Sequence, residues 1–220
     1  MLEKANVRLN DAAIQVSEWF RKKGFRTCIL KGQGNALMYP NLYSRTPGDI
    51  DIWVEGGDKR VISFVRSISP HEKACFHHIE FPSYKCVEVE VHYRSSFLLF
   101  FWHNRKLQEY YERVKEEQFS HRVMLGEQGE IAIPTIEFNP ASRLIVPPNE
   151  KYGRFVLNEV LEAGNFGKHD ERNRFGKSKL GHNLQRMYWD IRLVRYFPAE
   201  AMSEPFFRVW HFFWRMNNKK

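Results

Sequence analysis

The spacing of apolar residues divides the chain into a mixed first two thirds and a helical last third. A helix is predicted over Val7 to Lys23, where apolar residues recur at helical spacing and Gly24 follows as a typical terminator. Helices are also predicted over Asp58 to Ile68 and Asn104 to Glu117. Most of the final third is helical in character apart from a loop over Gly164 to Lys179.

Short strands alternate with these helices. The segments "FRTCIL" and "DIDIWV" are predicted strands, and the helical turn "GNALMYP" between them ends at Pro40. Two more strands, "CFHHIEF" and "KCVEVEVHYR", are predicted to join at a turn around Pro82 and Ser83. A later hairpin, "SHRVML" with "EIAIPT", turns on Gly126 and Gly129.

This order of elements predicts an α+β fold, with a small mixed sheet, flanking helices and a helical C-terminal region. The pattern changes from mixed to helical near Pro147 and Pro148. We therefore predict a domain over residues 1–146 that carries the hairpin as an insertion, and a basic helical region over residues 147–220.

Two aspartates interrupt an otherwise apolar strand in "GDIDIW". Side chains alternate along a strand, so Asp49 and Asp51 are predicted to share one face while Ile50 and Ile52 face the core. Like charges side by side repel, and a divalent cation between them would relieve that repulsion. Carboxylate oxygens suit Mg²⁺ or Mn²⁺. On this basis, replacing either aspartate with asparagine is expected to leave the fold intact or more stable.

A third acid is available on "VEVEVHYR", where Glu88, Glu90 and His92 share a face. Taken alone, this strand is more simply an amphipathic strand with solvated glutamates.

Upstream, "LKGQGNAL" places Lys31, Gly32 and Gly34 where a strand ends and a helix begins, an arrangement that can bind phosphate. A simple glycine-containing turn is the alternative to that arrangement.

The order of these motifs resembles the uncharacterised nucleotidyltransferase family of the polymerase-beta-type nucleotidyltransferase superfamily. The resemblance covers about residues 1 to 95 and rests on Lys31-Gly32, Tyr39, Arg45, the Asp49-Ile50-Asp51 triplet and "EVHYR" from Glu90. It implies transfer of a nucleoside monophosphate from ATP or another nucleoside triphosphate to a hydroxyl of a small-molecule or protein acceptor.

The same resemblance implies roles for the site residues. Asp49, Asp51 and Glu90 would be both the catalytic residues and the ligands of Mg²⁺ or Mn²⁺, with Glu90 also able to act as general base. The nucleoside triphosphate would be bound by Lys31, Gly32, Gly34, Arg45 and His92, with Lys31 and Arg45 on the outer phosphates. His92 is expected more often to hydrogen-bond its neighbours than to touch the acceptor.

Three departures from the wider superfamily keep other functions open. Gln33 stands where a serine usually follows the glycine, the third acid is a glutamate, and "EFNPASRLIVPPNEKYG" replaces a longer helical segment. A catalytically degenerate relative that binds nucleotide or RNA is one alternative. A toxin-antitoxin-type interaction protein with a functional aromatic surface is the other, since aromatic residues make up 15% of the chain.

The distribution of charge indicates which kinds of partner the protein could bind. From Lys151 onward, 14 Lys and Arg face 7 Asp and Glu, so most of the net charge of +8 lies in the last third. This basic surplus makes nucleic acid a possible partner. Nucleic acid is not the favoured partner, because the rings of "EPFFRVWHFFWR" recur at helical spacing, which predicts a helix packed on the rest of the protein.

The remaining sequence features concern compartment and cysteine chemistry. The longest apolar run, Phe97 to Trp102, is far shorter than the roughly 20 residues of a membrane span, and the N-terminus has no signal-peptide core. We predict a cytoplasmic protein without a membrane partner. Cys75 lies close to His77 and His78, but a four-ligand metal site would need a fourth partner that the sequence does not reveal.

Overall fold

A computed structural model of the chain describes residues 2–37, 40–44, 46, 48–127, 129–135, 138, 150–151, 153–155, 175 and 178–218. The helices that the described residues cover from end to end are α1 (Leu2–Lys22), α2 (Gly32–Ala36), α3 (Gly57–Ile68), α4 (Phe101–Ser120), α5 (Lys179–Val194) and α6 (Pro198–Asn217). The strands are β1 (Thr27–Leu30), β2 (Ile50–Val54), β3 (His78–Tyr84), β4 (Val87–His92), β5 (Arg122–Met124) and β6 (Glu130–Ala132). The predicted α+β fold, with its mixed sheet, flanking helices and helical C-terminal region, is confirmed.

The main sheet has the strand order β1-β2-β4-β3, and β5 pairs with β6 in a separate hairpin. Strands β2 and β4 run parallel, whereas β1 with β2 and β3 with β4 are antiparallel. The register sets Asp51 beside Glu90 on one side and beside Leu30 on the other. Residues that are distant in sequence, and that carry the candidate chemistry, therefore lie next to one another on adjacent strands.

Successive residues of each strand face opposite sides of the sheet, and the apolar ones form a hydrophobic core on each side. On one face, Ile50, Ile52 and Val54 are fully buried in a cluster with side chains of α1 and α3. On the other face, Trp53 packs with Leu107 and Phe119 of α4. Asp51 is two residues before Trp53 on the same strand, so its side chain lies on the same face of the sheet, the one covered by α4.

The turn between β3 and β4 lies at a different position from the predicted one. Lys85 and Cys86 both have positive φ (51° and 65°), as a two-residue hairpin turn requires, so the chain reverses there rather than at Pro82 and Ser83. The register of the pair shifts between Phe81 and Tyr84, which brackets Pro82. Proline cannot donate to a strand ladder, and an irregular stretch of an edge strand accommodates it.

Helix α6 is docked onto the end of the sheet. Its Phe207 and Trp210 rings contact Phe76, with ring centroids 5.6 and 5.1 Å apart. Its His211 Nε2 accepts a hydrogen bond of 3.1 Å from the backbone N–H of Phe76. The guanidinium of Arg208 pairs with Glu204 one turn earlier on the same helix. Helix α6 is therefore docked as expected, but the rings of Phe206, Trp210, Phe212 and Phe213 remain exposed, so packing occupies only part of its aromatic surface.

The predicted domain boundary and the predicted C-terminal loop cannot be compared with the structure. The predicted boundary at Pro147 and Pro148, and most of the predicted loop over Gly164 to Lys179, lie outside the described residues. The division at residues 146 and 147 therefore stays a prediction. Among the helices of the described ranges, none is long and apolar enough to cross a bilayer.

Acidic pH is expected to destabilise the metal-free fold. Burial lowers the pKa of His77 from its usual 6.5 to about 4, and burial together with the charge of Arg215 lowers the pKa of His211. The unfolded chain then binds more protons than the folded one below pH 6.5, so the free energy of unfolding falls as pH drops from 6.5 toward 4. His92 acts in the opposite sense, because its raised pKa gives stability that is lost as pH rises above 6.5.

Urea unfolding in EDTA at pH 7 and pH 5, compared between the wild type and His211→Gln, measures this effect. The glutamine carbonyl can still accept from the Phe76 N–H but binds no proton. We expect the variant to lose less stability than the wild type over this interval. An identical loss in both proteins would contradict a role for His211.

Candidate active site

Asp51 lies at the centre of the candidate site, on the strand between β1 and β4. Its carboxylate is buried, with 7% of the side chain exposed. The Lys31 ammonium donates to Asp51 Oδ1 at 2.9 Å, and His92 Nε2 lies 2.9 Å from the same oxygen. An ionised carboxylate only accepts hydrogen bonds, so His92 Nε2 is the donor. This buried acid therefore has two hydrogen-bond partners in the described part of the chain.

Lys31 reaches Asp51 from an unusual backbone conformation. It follows the last residue of β1 and has φ of 50°, in the left-handed region that residues with a Cβ adopt at a cost of about 1 to 3 kcal/mol. Its side chain remains 61% exposed although its ammonium is bonded to Asp51. The turn therefore places the Lys31 ammonium at the solvent-exposed side of the site rather than in the protein interior.

Two further carboxylates adjoin Asp51. The side chains of Asp49, Asp51 and Glu90 each offer an oxygen, and these oxygens all lie within 4.8 Å of one another. Asp49 is exposed, while Glu90 is half-buried and its Oε2 lies 3.4 Å from His92 Nε2. The structure thus brings together the three acids that the sequence selected, with one exposed side on which a hard cation could be bound.

The electrostatics of the group favour ionised acids. Burial alone would raise the pKa of Asp51, but hydrogen bonds from His92 and Lys31 outweigh it and lower that pKa. The hydrogen bond from His92 likewise lowers the pKa of Glu90 against the effect of burial. Burial lowers the pKa of His92, and its bonds to Asp51 and Glu90 reverse that and raise it. At neutral pH both Asp51 and Glu90 are therefore negatively charged.

The other sequence-selected residues have different positions. Gly32 and Gly34 lie in the short helix α2 directly after Lys31. Gly34 packs near Ile133, where an added Cβ would make ordinary contacts of 3.6 Å. His92 is 1% exposed, so its ring contacts the acids from within the fold. Arg45 lies outside the described residues.

Sequence reasoning missed the environment of Gln33. This residue replaces the usual serine of the first turn, and it is 1% exposed. Within the described part of the chain, neither its amide nitrogen nor its amide oxygen has a hydrogen-bond partner. A buried amide without partners is costly, so Gln33 is a polar group next to the site with unused hydrogen-bonding capacity. No periodic signal in the sequence distinguishes it from an exposed turn residue.

A second group of donors adjoins the acids on the β3 side. Cys75 Sγ lies 3.5 Å from His77 Nδ1 and 3.3 Å from His78 Nδ1, and His77 Nε2 lies 2.9 Å from His78 Nδ1. His78 Nδ1 is also 3.6 Å from Glu90 Oε2. Hydrogen bonds from His78 and from the backbone lower the pKa of the Cys75 thiol, against the effect of burial.

Comparison with known proteins identifies the family of the chain. A mixed sheet with a lysine-glycine turn and three clustered carboxylates is expected of a nucleotidyltransferase domain. The model of the uncharacterised nucleotidyltransferase family matches residues 1–120, more than half of the 220 residues, and the chain belongs to that family. Neither the curated proteins nor the solved structures gave a match.

Proposed function

We propose that this chain is a metal-dependent enzyme that transfers a nucleoside monophosphate from a nucleoside triphosphate to an acceptor hydroxyl. Membership of the nucleotidyltransferase family supports transfer of a nucleotidyl group in general. The observation that carries the finer proposal is the group formed by Asp49, Asp51 and Glu90, with carboxylate oxygens within 4.8 Å of one another and the Lys31 ammonium beside them. The acceptor is proposed to be a small molecule or a protein.

The donor set fits the expected metal. Three carboxylates offer only hard oxygen ligands, which are the ligands that Mg²⁺ and Mn²⁺ prefer. Asp49, Asp51 and Glu90 would hold such an ion, which supplies charge neutralisation at the reacting phosphate when bound. Asp49 is exposed and Asp51 is buried, so the ligands span the boundary between the fold and solvent.

The chemistry of the step assigns a role to each residue. The acceptor oxygen forms a bond to the α-phosphorus, the bond from that phosphorus to the β-phosphate oxygen breaks, and pyrophosphate leaves with the electron pair. Glu90 accepts the proton of the acceptor hydroxyl, and its lowered pKa keeps it unprotonated and ready at neutral pH. His92 fixes the orientation of both Asp51 and Glu90 through its buried Nε2.

Lys31 is proposed to bind the outer phosphates. Its side chain is 61% exposed, so its ammonium has room to leave Asp51 for a phosphate oxygen. Gly32 and Gly34, in the helical turn that follows, are proposed to let the backbone approach the same phosphates. Arg45, which precedes Asp49 closely in sequence, is proposed to add a second cation.

Release of pyrophosphate tests the function. The full chain is incubated with each ribonucleoside triphosphate and a panel of hydroxyl acceptors, with Mg²⁺, with Mn²⁺ or with EDTA. We expect acceptor-dependent pyrophosphate that disappears with EDTA. Nucleotide binding by calorimetry without any turnover would instead support the catalytically degenerate alternative, and absence of both would overturn the proposal.

Replacing Lys31 is expected to weaken triphosphate binding selectively. Loss of a charge-assisted hydrogen bond in Lys31→Ala should cost about 1.5 to 3 kcal/mol for the triphosphate and much less for the monophosphate. Lys31→Gly is the matched control, because glycine relieves the backbone strain at φ of 50° but also lacks the ammonium. Calorimetry should give the same selective loss in both variants. Normal triphosphate binding by Lys31→Gly would assign the effect to the backbone instead.

A further inference from the structure

We infer that Cys75, His77 and His78 form a separate binding site for a Zn²⁺-class ion, with three protein ligands and an open fourth position. The three side chains each offer one donor atom, and these atoms lie within 4.8 Å of one another. Thiolate and imidazole donors select Zn²⁺ and similar ions, whereas the neighbouring carboxylates suit Mg²⁺. The inference goes beyond the proposed nucleotidyl transfer and does not depend on it.

The two sulfur–nitrogen distances fit a tetrahedral ion. With Zn–S of about 2.3 Å and Zn–N of about 2.0 to 2.1 Å, tetrahedral geometry separates sulfur and nitrogen ligands by about 3.5 Å. Cys75 Sγ lies 3.5 Å from His77 Nδ1 and 3.3 Å from His78 Nδ1. The sulfur therefore already has the separation from both imidazoles that a shared ion requires.

The backbone holds these donors in place without any metal. The Cys75 N–H donates to the His78 carbonyl at 2.9 Å, which closes the segment into a tight loop. Outside the loop, Tyr93 N–H donates to the His77 carbonyl and Arg94 Nη1 donates to the Phe76 carbonyl at 2.7 Å. Fixing ligands on a supported backbone lowers the ordering cost of metal binding.

The loop has other contacts with the rest of the chain. The Tyr93 hydroxyl donates to the Cys75 carbonyl, and His211 of α6 accepts from the Phe76 N–H. The C-terminal region therefore contributes directly to holding the proposed ligands.

A carboxylate lies beside the proposed ligands, since Glu90 Oε2 is 3.6 Å from His78 Nδ1. Cys75, His77 and His78 are all partly exposed, which leaves an entry path from solvent. Structural zinc sites are closed by four protein ligands, whereas three protein ligands with an open fourth position are the arrangement of catalytic zinc sites.

A network of hydrogen bonds is the competing explanation. The Cys75 thiol can donate to His77 Nδ1, and His77 Nε2–H can donate to His78 Nδ1 at 2.9 Å. This network satisfies the same atoms and needs no ion. It predicts that the group has no special affinity for Zn²⁺ or its spectroscopic substitute Co²⁺.

Titration of the reduced, full-length protein with Co²⁺ under anaerobic conditions separates the two explanations. We expect a thiolate-to-cobalt charge-transfer band with the intense visible absorption of tetrahedral Co²⁺, and bleaching of both by one equivalent of Zn²⁺. Cys75→Ser should abolish the charge-transfer band and weaken Co²⁺ binding by more than about 100-fold, beyond the 10- to 100-fold loss that removal of an outer partner causes. His77→Gln is the second variant, chosen because it retains the sulfur, and it should weaken binding without removing the band entirely.

Cys86→Ser is the matched control, because Cys86 is exposed at the hairpin turn and belongs to none of the donor groups of the described residues. It should bind Co²⁺ as the wild type does. Asp49→Asn should also retain the charge-transfer band, even though it removes a proposed Mg²⁺ ligand, so the two sites fail independently. A spectrum without a thiolate band, or equal binding by Cys75→Ser of native circular dichroism, would overturn the inference and leave the hydrogen-bonded network.

Discussion

Asp51→Asn is expected to abolish metal-dependent pyrophosphate release and also to destabilise the protein. The substitution removes a proposed metal ligand and one of three clustered charges. It also removes the ionised acceptor that lies 2.9 Å from the Lys31 ammonium and from the buried Nε2–H of His92, which keeps only the more distant Glu90 carboxylate at 3.4 Å. We expect activity at the background level and a loss of about 1 to 3 kcal/mol in the free energy of unfolding, measured in urea with EDTA.

This outcome reverses the stability effect expected from the sequence. The aspartates were expected to repel each other, so that neutralising one would leave the fold intact or more stable. In the structure, Asp51 instead lies 2.9 Å from both Lys31 Nζ and His92 Nε2, and of the two aspartates only Asp49 is exposed. Asp49→Asn is therefore the matched variant, with the same loss of activity but an unchanged or slightly higher free energy of unfolding. Equal destabilisation in both variants would contradict this assignment.

Glu200→Ala is expected to cause the other large effect, a loss of about 2 to 4 kcal/mol in the free energy of unfolding. Glu200 of α6 accepts hydrogen bonds from the backbone N–H groups of Leu99 and Phe100, at 2.7 and 2.9 Å, directly before α4. It also lies 2.7 Å from His103 Nδ1. An anion near a helix N-terminus is favourable, and its removal leaves partly buried amides without an acceptor.

Glu109→Ala on α4 is the control for this prediction. Glu109 is exposed and forms an ion pair with exposed Arg105 one turn away, which contributes little. Urea unfolding of both variants should show a loss confined to Glu200→Ala. Hydrogen exchange should then report loosening at the start of α4 and in α6 together, whereas loosening of α6 alone would argue against the capping role.

The candidate acids could be predicted from the sequence because strand periodicity is a local property. The alternation in "GDIDIW" and "VEVEVHYR" correctly gave buried Ile52 and Val91 on one face and Asp51, Glu90 and His92 on the other. Which strands are neighbours is not local, and the resemblance to a known family supplied only the grouping of these acids in one site. The parallel register of β2 and β4 then sets Asp51 beside Glu90.

Features that depend on distant residues were not predictable. Helix α4 begins at Phe101, three residues before the predicted Asn104, and the backbone N–H groups of Leu99 and Phe100 directly before it are satisfied by Glu200 from another helix, while Phe100 itself provides no side-chain cap. The carboxylate beside Cys75, His77 and His78 could not be predicted for the same reason, since Glu90 comes from β4. The hairpin turn was misplaced because Pro82 is a strong turn signal, whereas Lys85 and Cys86 are not.

The shift in register around Pro82 also affects whether the edge of the sheet can pair with a strand of another chain. Strand β3 is one edge of the sheet, and an edge strand with regular, unpaired backbone groups invites pairing with a strand from another chain. Pro82 lacks an N–H, and the irregular pairing between Phe81 and Tyr84 bends the edge away from a flat ladder. The opposite edge, β1, has only four residues. Both edges are thus poor templates for strand addition, which protects the sheet against edge-to-edge aggregation.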